Sequence, residues 1–403
     1  MQSLPLSVRP TMSIPSSIGE RLDREKSPTA PVYRYPSEAC WACIHRSYAY
    51  ALCIVVLLLS LGIEAPMAYA QGSGESLRLD LKVGVESDSN ATRVNGTQGI
   101  ASDTLTRYFF KLDSASALSR GQSLGLKYRS GGKLFREQRD EDAFLNQVDA
   151  RYTLFPTATI QEEPWLFTYA SASLKDRTER GNQRDYTRGS GTVGLGVRLG
   201  PLSLVGGGGY GFFAYKPEPN QSSQGLLATA GLSIDIQDTW LFGLGYVRNE
   251  RNFEALFNEA QEPREDVSTV LSASLTYEGY LVASLSGSLL DYQSNVDGQT
   301  LQRYTLAANV TTPLFWGFLL SGRALIQLSA YPEDLQIDPI DPQQPQPLLV
   351  DEDNRNAYTV VLERPIYARV RGELRYALYT QDLGQESANY TRQLTFVGLG
   401  VDY

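Results

Sequence analysis

Four residues of the stretch YARVRGELRY, 367–376, are charged at every second position: Arg369, Arg371, Glu373 and Arg375. In an extended chain alternate side chains share one side, so this spacing builds a mostly basic line. Fixed positive charge of that kind attracts anions. Other chemistry is harder to find. The only His, His45, and all three Cys, Cys40, Cys43 and Cys53, lie near the start of the chain. Beyond residue 70, Ser-His-Asp catalysis, His-assisted proteolysis and His-ligated zinc have no residues to use. A carboxylate-pair mechanism is formally open, but no pair is singled out. The run GGGG at 206–209 is followed by YGFFAY, without the Gly-Lys-Ser/Thr ending and helix of a phosphate-binding loop. Its glycines read instead as a place where a strand bends or a neighbouring group comes close. The acidic DEDN at 351–354 lacks the fixed ligand spacing of a calcium loop. The triplets NAT at 90 and NGT at 95 match glycosylation sites by letter only. No enzyme activity, cofactor, metal or nucleic-acid partner is expected.

What must position the basic line is a set of strands. Residues 77–85 put Leu77, Leu79, Leu81, Val83 and Val85 on one face against Arg78, Asp80, Lys82 and Gly84. Residues 192–199 oppose Val193, Leu195, Val197 and Leu199 to Thr192, Gly194, Gly196 and Arg198, and residues 225–236 repeat the pattern. Period-two alternation is the mark of a strand with one apolar face. Beyond residue 70 no run of 18 or more apolar residues exists, which excludes helical spans there. Strands are predicted near 76–87, 104–114, 121–134, 142–155, 164–177, 185–199, 202–216, 223–236, 239–253, 265–278, 280–293, 299–312, 316–331, 355–364, 366–380 and 388–403. Odd-numbered connections are long and polar, as at 88–103, 178–184, 254–264 and 332–354. Even-numbered ones are mostly short, as at 200–201, 237–238, 279 and 365. An even count with short turns at one end and long loops at the other describes an all-β, up-and-down antiparallel barrel of about 16 strands crossing a membrane. A soluble β-sandwich also alternates, but its strands are typically about five or six residues long.

The first 70 residues are of a different kind. The apolar run YALCIVVLLLSLGI, 50–63, is preceded by Arg46 and followed by Ala68-Tyr69-Ala70, which has the small-x-small form of a signal-peptidase site. The run is too short to span a bilayer as a helix. Residues 1–70 are therefore read as an extended N-region and cleavable signal peptide, and 71–403 as the barrel. The alternatives are a membrane anchor or a buried helix. Leu52 before Cys53 argues against a lipoprotein site. The stretch ahead of the run exceeds an ordinary n-region and fits an over-extended start codon.

The chain ends on LTFVGLGVDY, 394–403, with Val397, Leu399, Val401 and Tyr403 on one face. This ending resembles the C-terminal strand of bacterial outer-membrane β-barrel proteins, the porin-like class, which alternates and finishes on an aromatic, usually Phe. The resemblance is one of pattern and singles out no subfamily. It implies an outer-membrane location with membrane lipid and lipopolysaccharide around the barrel. It also implies a last strand that the barrel-assembly machinery reads and that closes on the first.

With apolar positions given to lipid, Arg78, Lys82, Lys127, Arg129, Arg151, Arg198, Arg303, Arg323, Arg369, Arg371 and Arg375 point inward. Fewer acids join them: Asp80, Glu86, Asp149, Asp235 and Glu373. That is a basic lumen in a protein of formal charge −9. Two readings stand open. In one, the lumen passes or exports anionic small molecules or acidic polysaccharide, with a separate periplasmic export protein as partner. In the other, Arg–Glu ladders brace the wall of a plugged barrel that scaffolds another envelope protein. Trp165, Trp240 and Trp316, near short turns, suit an aromatic belt at the periplasmic interface. FEALFNEA, 253–260, suggests a short amphipathic helical turn, and the Pro-rich acidic 332–354 a loop that gates the lumen or caps the surface.

Overall fold

The computed structural model describes residues 76–91, 100–119, 121–156, 165–181, 184–237, 239–258, 260–296, 299–330, 356–381 and 390–403. Sixteen strands run in chain order: β1 (Ser76–Asp88), β2 (Asp103–Ser119), β3 (Gln122–Phe135), β4 (Ala143–Leu154), β5 (Leu166–Glu179), β6 (Tyr186–Leu199), β7 (Leu202–Tyr215), β8 (Ser223–Ile236), β9 (Trp240–Phe257), β10 (Pro263–Glu278), β11 (Val282–Ser294), β12 (Leu301–Pro313), β13 (Leu319–Ala330), β14 (Asn356–Tyr367), β15 (Val370–Gln381) and β16 (Tyr390–Asp402). Each pairs antiparallel with its neighbours in sequence, and β16 returns to β1 to close the barrel. The predicted signal peptide, its Ala70 site, the 332–354 loop, the 351–354 cluster and the NGT triplet lie outside the described residues.

The two faces identify themselves. Lys82 on β1 bonds Glu373 on β15 at 2.8 Å and Glu363 on β14 at 3.1 Å, passing over β16. Only the concave side offers so short a chord, so the polar parity faces inward. The opposite parity carries Leu77, Val193, Leu226, Leu328, Val397 and Leu399, all more than half exposed. An apolar band of this kind around a closed sheet is a lipid-facing surface, because closure leaves no backbone donor or acceptor to desolvate. The chain forms a transmembrane β-barrel of the outer-membrane type.

Toward the long-loop end the polarity of the faces inverts. On β16 the inward Arg392, Leu394 and Phe396 are buried while the outward Thr391, Gln393 and Thr395 are exposed. Leu105 and Phe135 likewise cluster with Ala91, with Thr104 and Thr106 outside. Here the wall stands clear of the apolar band and is built like a small soluble sheet, apolar inside and wet outside.

Two expectations need correction. The β14–β15 turn falls at 368–369, not at Pro365. Pro365 pairs with Arg371 at a β-bulge, where a missing N–H is tolerated, and Ala368 turns the chain with φ of 40°. Nor do residues 253–257 form a helical turn. β9 continues to Phe257, because Phe253 turns inward beneath the Arg264 guanidinium, 4.8 Å from its ring. Asn258 and Glu262 then close the hairpin, with the Glu262 N–H bonded to Asn258 Oδ1 at 2.9 Å.

Val193 sits mid-strand on the lipid face of β6. Val193→Arg should destabilise the barrel in vesicles by about 2–4 kcal/mol, seen as a lower urea midpoint; an unchanged midpoint would contradict the facing of β6. On β15, Arg371→Cys should react with a hydrophilic maleimide while Val370→Cys stays shielded by lipid. The reverse labelling would overturn the β15 register.

Candidate functional site

The inner wall is where the charged residues meet. Of those read as inward from sequence, Arg78, Lys82, Lys127, Arg129, Arg151, Arg198, Arg303, Arg323, Arg371 and Arg375 lie at inward positions of their strands. Arg369 does not. It lies in the β14–β15 turn, its guanidinium 4.1 Å from the Tyr403 ring. It shares the parity of Arg371, but the turn at 368–369 takes it out of the strand.

Two groups stand out among the inward charges. One spans β14, β15, β16, β1 and β2, across the seam where the two ends of the barrel meet. Lys82 joins Glu363 and Glu373. Arg371 joins Asp80 at 2.9 Å, Glu363 at 3.4 Å and Asp402. Glu86 is fully buried, and its Oε2 accepts from Arg107 at 2.8 Å and Arg375 at 3.2 Å. Arg375 also lies over Phe396, 4.6 Å from the ring. Arg392 on β16 grips Asp88 on β1 with both side chains buried, Nε to Oδ1 at 2.8 Å. The bonds that reach β1 from β14, β15 and β16 tie together strands far apart in sequence. Arg107, Asp88, Glu363, Arg392 and Asp402 were missed from sequence. Inward positions of β2 alternate charge with Leu105 and Phe109, so that strand shows no clean polar face, and Asp88 and Arg392 lie where polarity inverts.

The second group makes no ion pair among the described residues: Arg78, Lys127, Arg129, Arg151, Arg188, Arg198 and Arg323. All but the half-buried Arg129 are exposed, and because they face inward that exposure is to the lumen. Arg151 rests on the Tyr169 ring at 4.5 Å, a contact that leaves its charge uncompensated. Arg188 was also missed. Arg303 differs from these, being buried and donating to Ser329 Oγ at 3.2 Å.

A second buried cluster sits high on the opposite wall. Arg264 holds Asp266 at 2.9 Å, and the Tyr292 hydroxyl donates to the same carboxylate. Beyond the strands, Arg184 joins Glu141 at 2.6 Å and Glu179 at 3.0 Å. Burial pushes the carboxyls of Asp142 and Asp185 above the usual carboxylate range, against the backbone N–H bonds each accepts. These groups fasten the long-loop end of the barrel. No group of three or more His, Cys, Asp or Glu able to hold a metal exists among the described residues.

At the short-turn end, Trp240 opens β9, outward and packed on Tyr277 at 4.8 Å between ring centroids. Trp316 is 77% exposed at the tip of the β12–β13 turn, held there at φ of 59° and ψ of 22°. Trp165 stands ahead of β5 on the parity of the inward Phe167, its carbonyl accepting from the Arg198 N–H at 2.7 Å. Val397 and Leu399 face outward, with Val401 and Tyr403 following the same parity. Leu79 and Tyr403 exchange two backbone bonds of 2.8 Å that finish the seam.

No family model and no curated protein matches the chain. Solved structures that resemble it include Salmonella typhi OmpF in complex with daunomycin (10% identity, 83% of this chain, 99% of that one, TM-score 0.43). OmpT of Vibrio cholerae, in its trimer form, shows 9% identity over 82% of this chain and 99% of that one (TM-score 0.41). A monoaromatic hydrocarbon channel, the TodX deltaS2 mutant, shows 11% identity over 81% and 89% (TM-score 0.39). Cargo is therefore read from this chain's own residues.

Arg392→Ala would leave the Asp88 carboxylate buried and unpaired across the seam. Losing one partner of such a pair costs about 3–5 kcal/mol. Thermal unfolding in vesicles should show that loss, with part of it recovered in the Asp88→Asn/Arg392→Ala double variant. A wild-type melting profile for Arg392→Ala would show that this pair does not hold the seam.

Proposed function

We propose that the barrel is a channel of the Gram-negative outer membrane that passes anionic solutes. The observation that carries this reading is the set of inward cations that make no ion pair among the described residues. A cation paired in the wall mainly braces it. An unpaired, solvated cation in a narrow aqueous bore, walled by a low-dielectric sheet, concentrates anions. Sixteen strands suffice to enclose such a bore. Residues 1–70 supply the export leader in this reading, and the alternating ending Val397, Leu399, Val401, Tyr403 the signal for barrel assembly. Membrane lipid and lipopolysaccharide surround the wall. The bore binds no cofactor, and the solute is moved rather than transformed. Export of a polymer would add a periplasmic protein that delivers it to the short-turn mouth.

Single-channel recording in a planar bilayer under a salt gradient tests this. A steady conductance whose reversal potential lies toward the anion equilibrium is the expected result. Cation preference would contradict the reading. A folded barrel that carries no current would favour the plugged scaffold for another envelope protein.

A further inference from the structure

The unpaired cations are not spread evenly round the bore. Lys127 and Arg129 stand on β3, Arg151 on β4 and Arg188 and Arg198 on β6, so most share one quarter of the ring. Along the barrel they form a ladder. Arg188 lies near the long-loop end of β6 and Arg198 one residue before its short-turn end, with Lys127, Arg129 and Arg151 between. Strands rise about 3.3 Å per residue, so rungs on one strand stand about 7 Å apart where they are two residues apart.

The wall opposite has another chemistry. Eight strands round a ring of sixteen is diametrically across, which sets β11 against β3 and β12 against β4. The inward positions there include Ser284, Ser286 and Ser288 on β11, and Thr305, Asn309 and Thr311 on β12, with Ala307 among them and Leu290 and the buried Arg303 toward the long-loop end. Ser272 and Ser274 extend the surface onto β10. Asn309 bonds Ser284 at 3.1 Å and Thr311 bonds Ser321 at 2.9 Å. The hydroxyls of Ser274, Ser286, Ser288 and Thr305 have no hydrogen-bond partner among the described residues. Between the walls, the inward Gly207, Gly209, Gly243 and Gly245 project nothing into the bore. Long cations on one side and short hydroxyls on the other, with these glycines between, place the free channel nearer the hydroxyl wall.

We infer that the preferred cargo is an extended acidic glycan, a sugar polymer bearing carboxylates at regular intervals, drawn through the bore with its charges on the cation ladder and its hydroxyls toward β10–β12. This inference rests on the anion-channel reading above and specifies its substrate class. A small anion would need one or two cations at a constriction; a ladder running the length of the bore serves a ligand with many charges, handed from rung to rung. A charge-only polymer offers the hydroxyl wall acceptors alone, whereas the hydroxyls of a glycan both donate and accept. A glycan engages it directly or through one bridging water.

The test is current block in planar bilayers, using protein purified from the outer membrane of an expressing host. Di-, tetra- and octagalacturonate are compared with polyphosphate of charge matched to the octamer. From dimer to octamer the half-blocking concentration should fall by at least about tenfold, as added charges engage further rungs. The matched polyphosphate should block at least about fivefold less tightly, the worth of one lost hydrogen bond. Ser286→Ala/Ser288→Ala should weaken block by octagalacturonate more than by polyphosphate. Anion preference with no dependence on glycan length, or equal block by polyphosphate, overturns the glycan assignment and leaves the anion channel standing. A reversal potential showing no anion preference removes both.

Discussion

A sheet in a bilayer must leave no backbone N–H or C=O unpaired, and every other feature of this barrel answers to that requirement. Fifteen of the interstrand pairings join neighbours in sequence; the sixteenth joins β1 to β16, whose partners are more than 300 residues apart. That is the contact with the greatest loop-closure cost and the one no short turn enforces. The charge network stands there. Asp88–Arg392 pins the upper seam, Glu86 with Arg107 and Arg375 holds the next level, and Lys82, Arg371 and Asp80 the lower one. Leu79 and Tyr403 complete it with backbone bonds. Those two bonds extend the β1–β16 pairing past Asp80 and Asp402.

Once the seam is held by paired charge, the remaining inward cations are released from structural duty. Buried pairs gain little net stability over an apolar wall, but they are costly to break and specific in what they join. They suit a register lock. Exposed, unpaired cations give no such benefit and repel one another. Their persistence along β3, β4 and β6 fits work done on a solute rather than on the fold.

Much of this architecture was legible in the alternation alone. Strand number, the sidedness of the turns and the closing role of 388–403 all follow from period-two patterning over segments too long for a soluble sandwich. The misreadings share one physical origin, the failure of simple parity at the strand ends. The Pro365 bulge moved the β14–β15 turn and took Arg369 off the wall. Inversion of polarity above the membrane hid Asp88 and Arg392, whose strand ends look unpatterned when a single apolar face is sought. Whether a given inward Arg is braced or free was not legible at all. Lys82 and Lys127 look alike in sequence, and only the nearness of β14 and β15, across β16 from β1, distinguishes them.

The central claim is that the seam charges stabilise the barrel and the ladder charges select the solute. It is tested most directly by measuring reversal potential and thermal unfolding together in two double variants. Asp88→Asn/Arg392→Gln removes a seam pair without changing net charge, and Lys127→Gln/Arg129→Gln removes two rungs of the ladder. The account predicts that the first lowers the melting temperature and keeps the anion preference, while the second keeps the melting temperature and reduces the preference. Equal loss of selectivity in both, or loss of stability in the second alone, would contradict it.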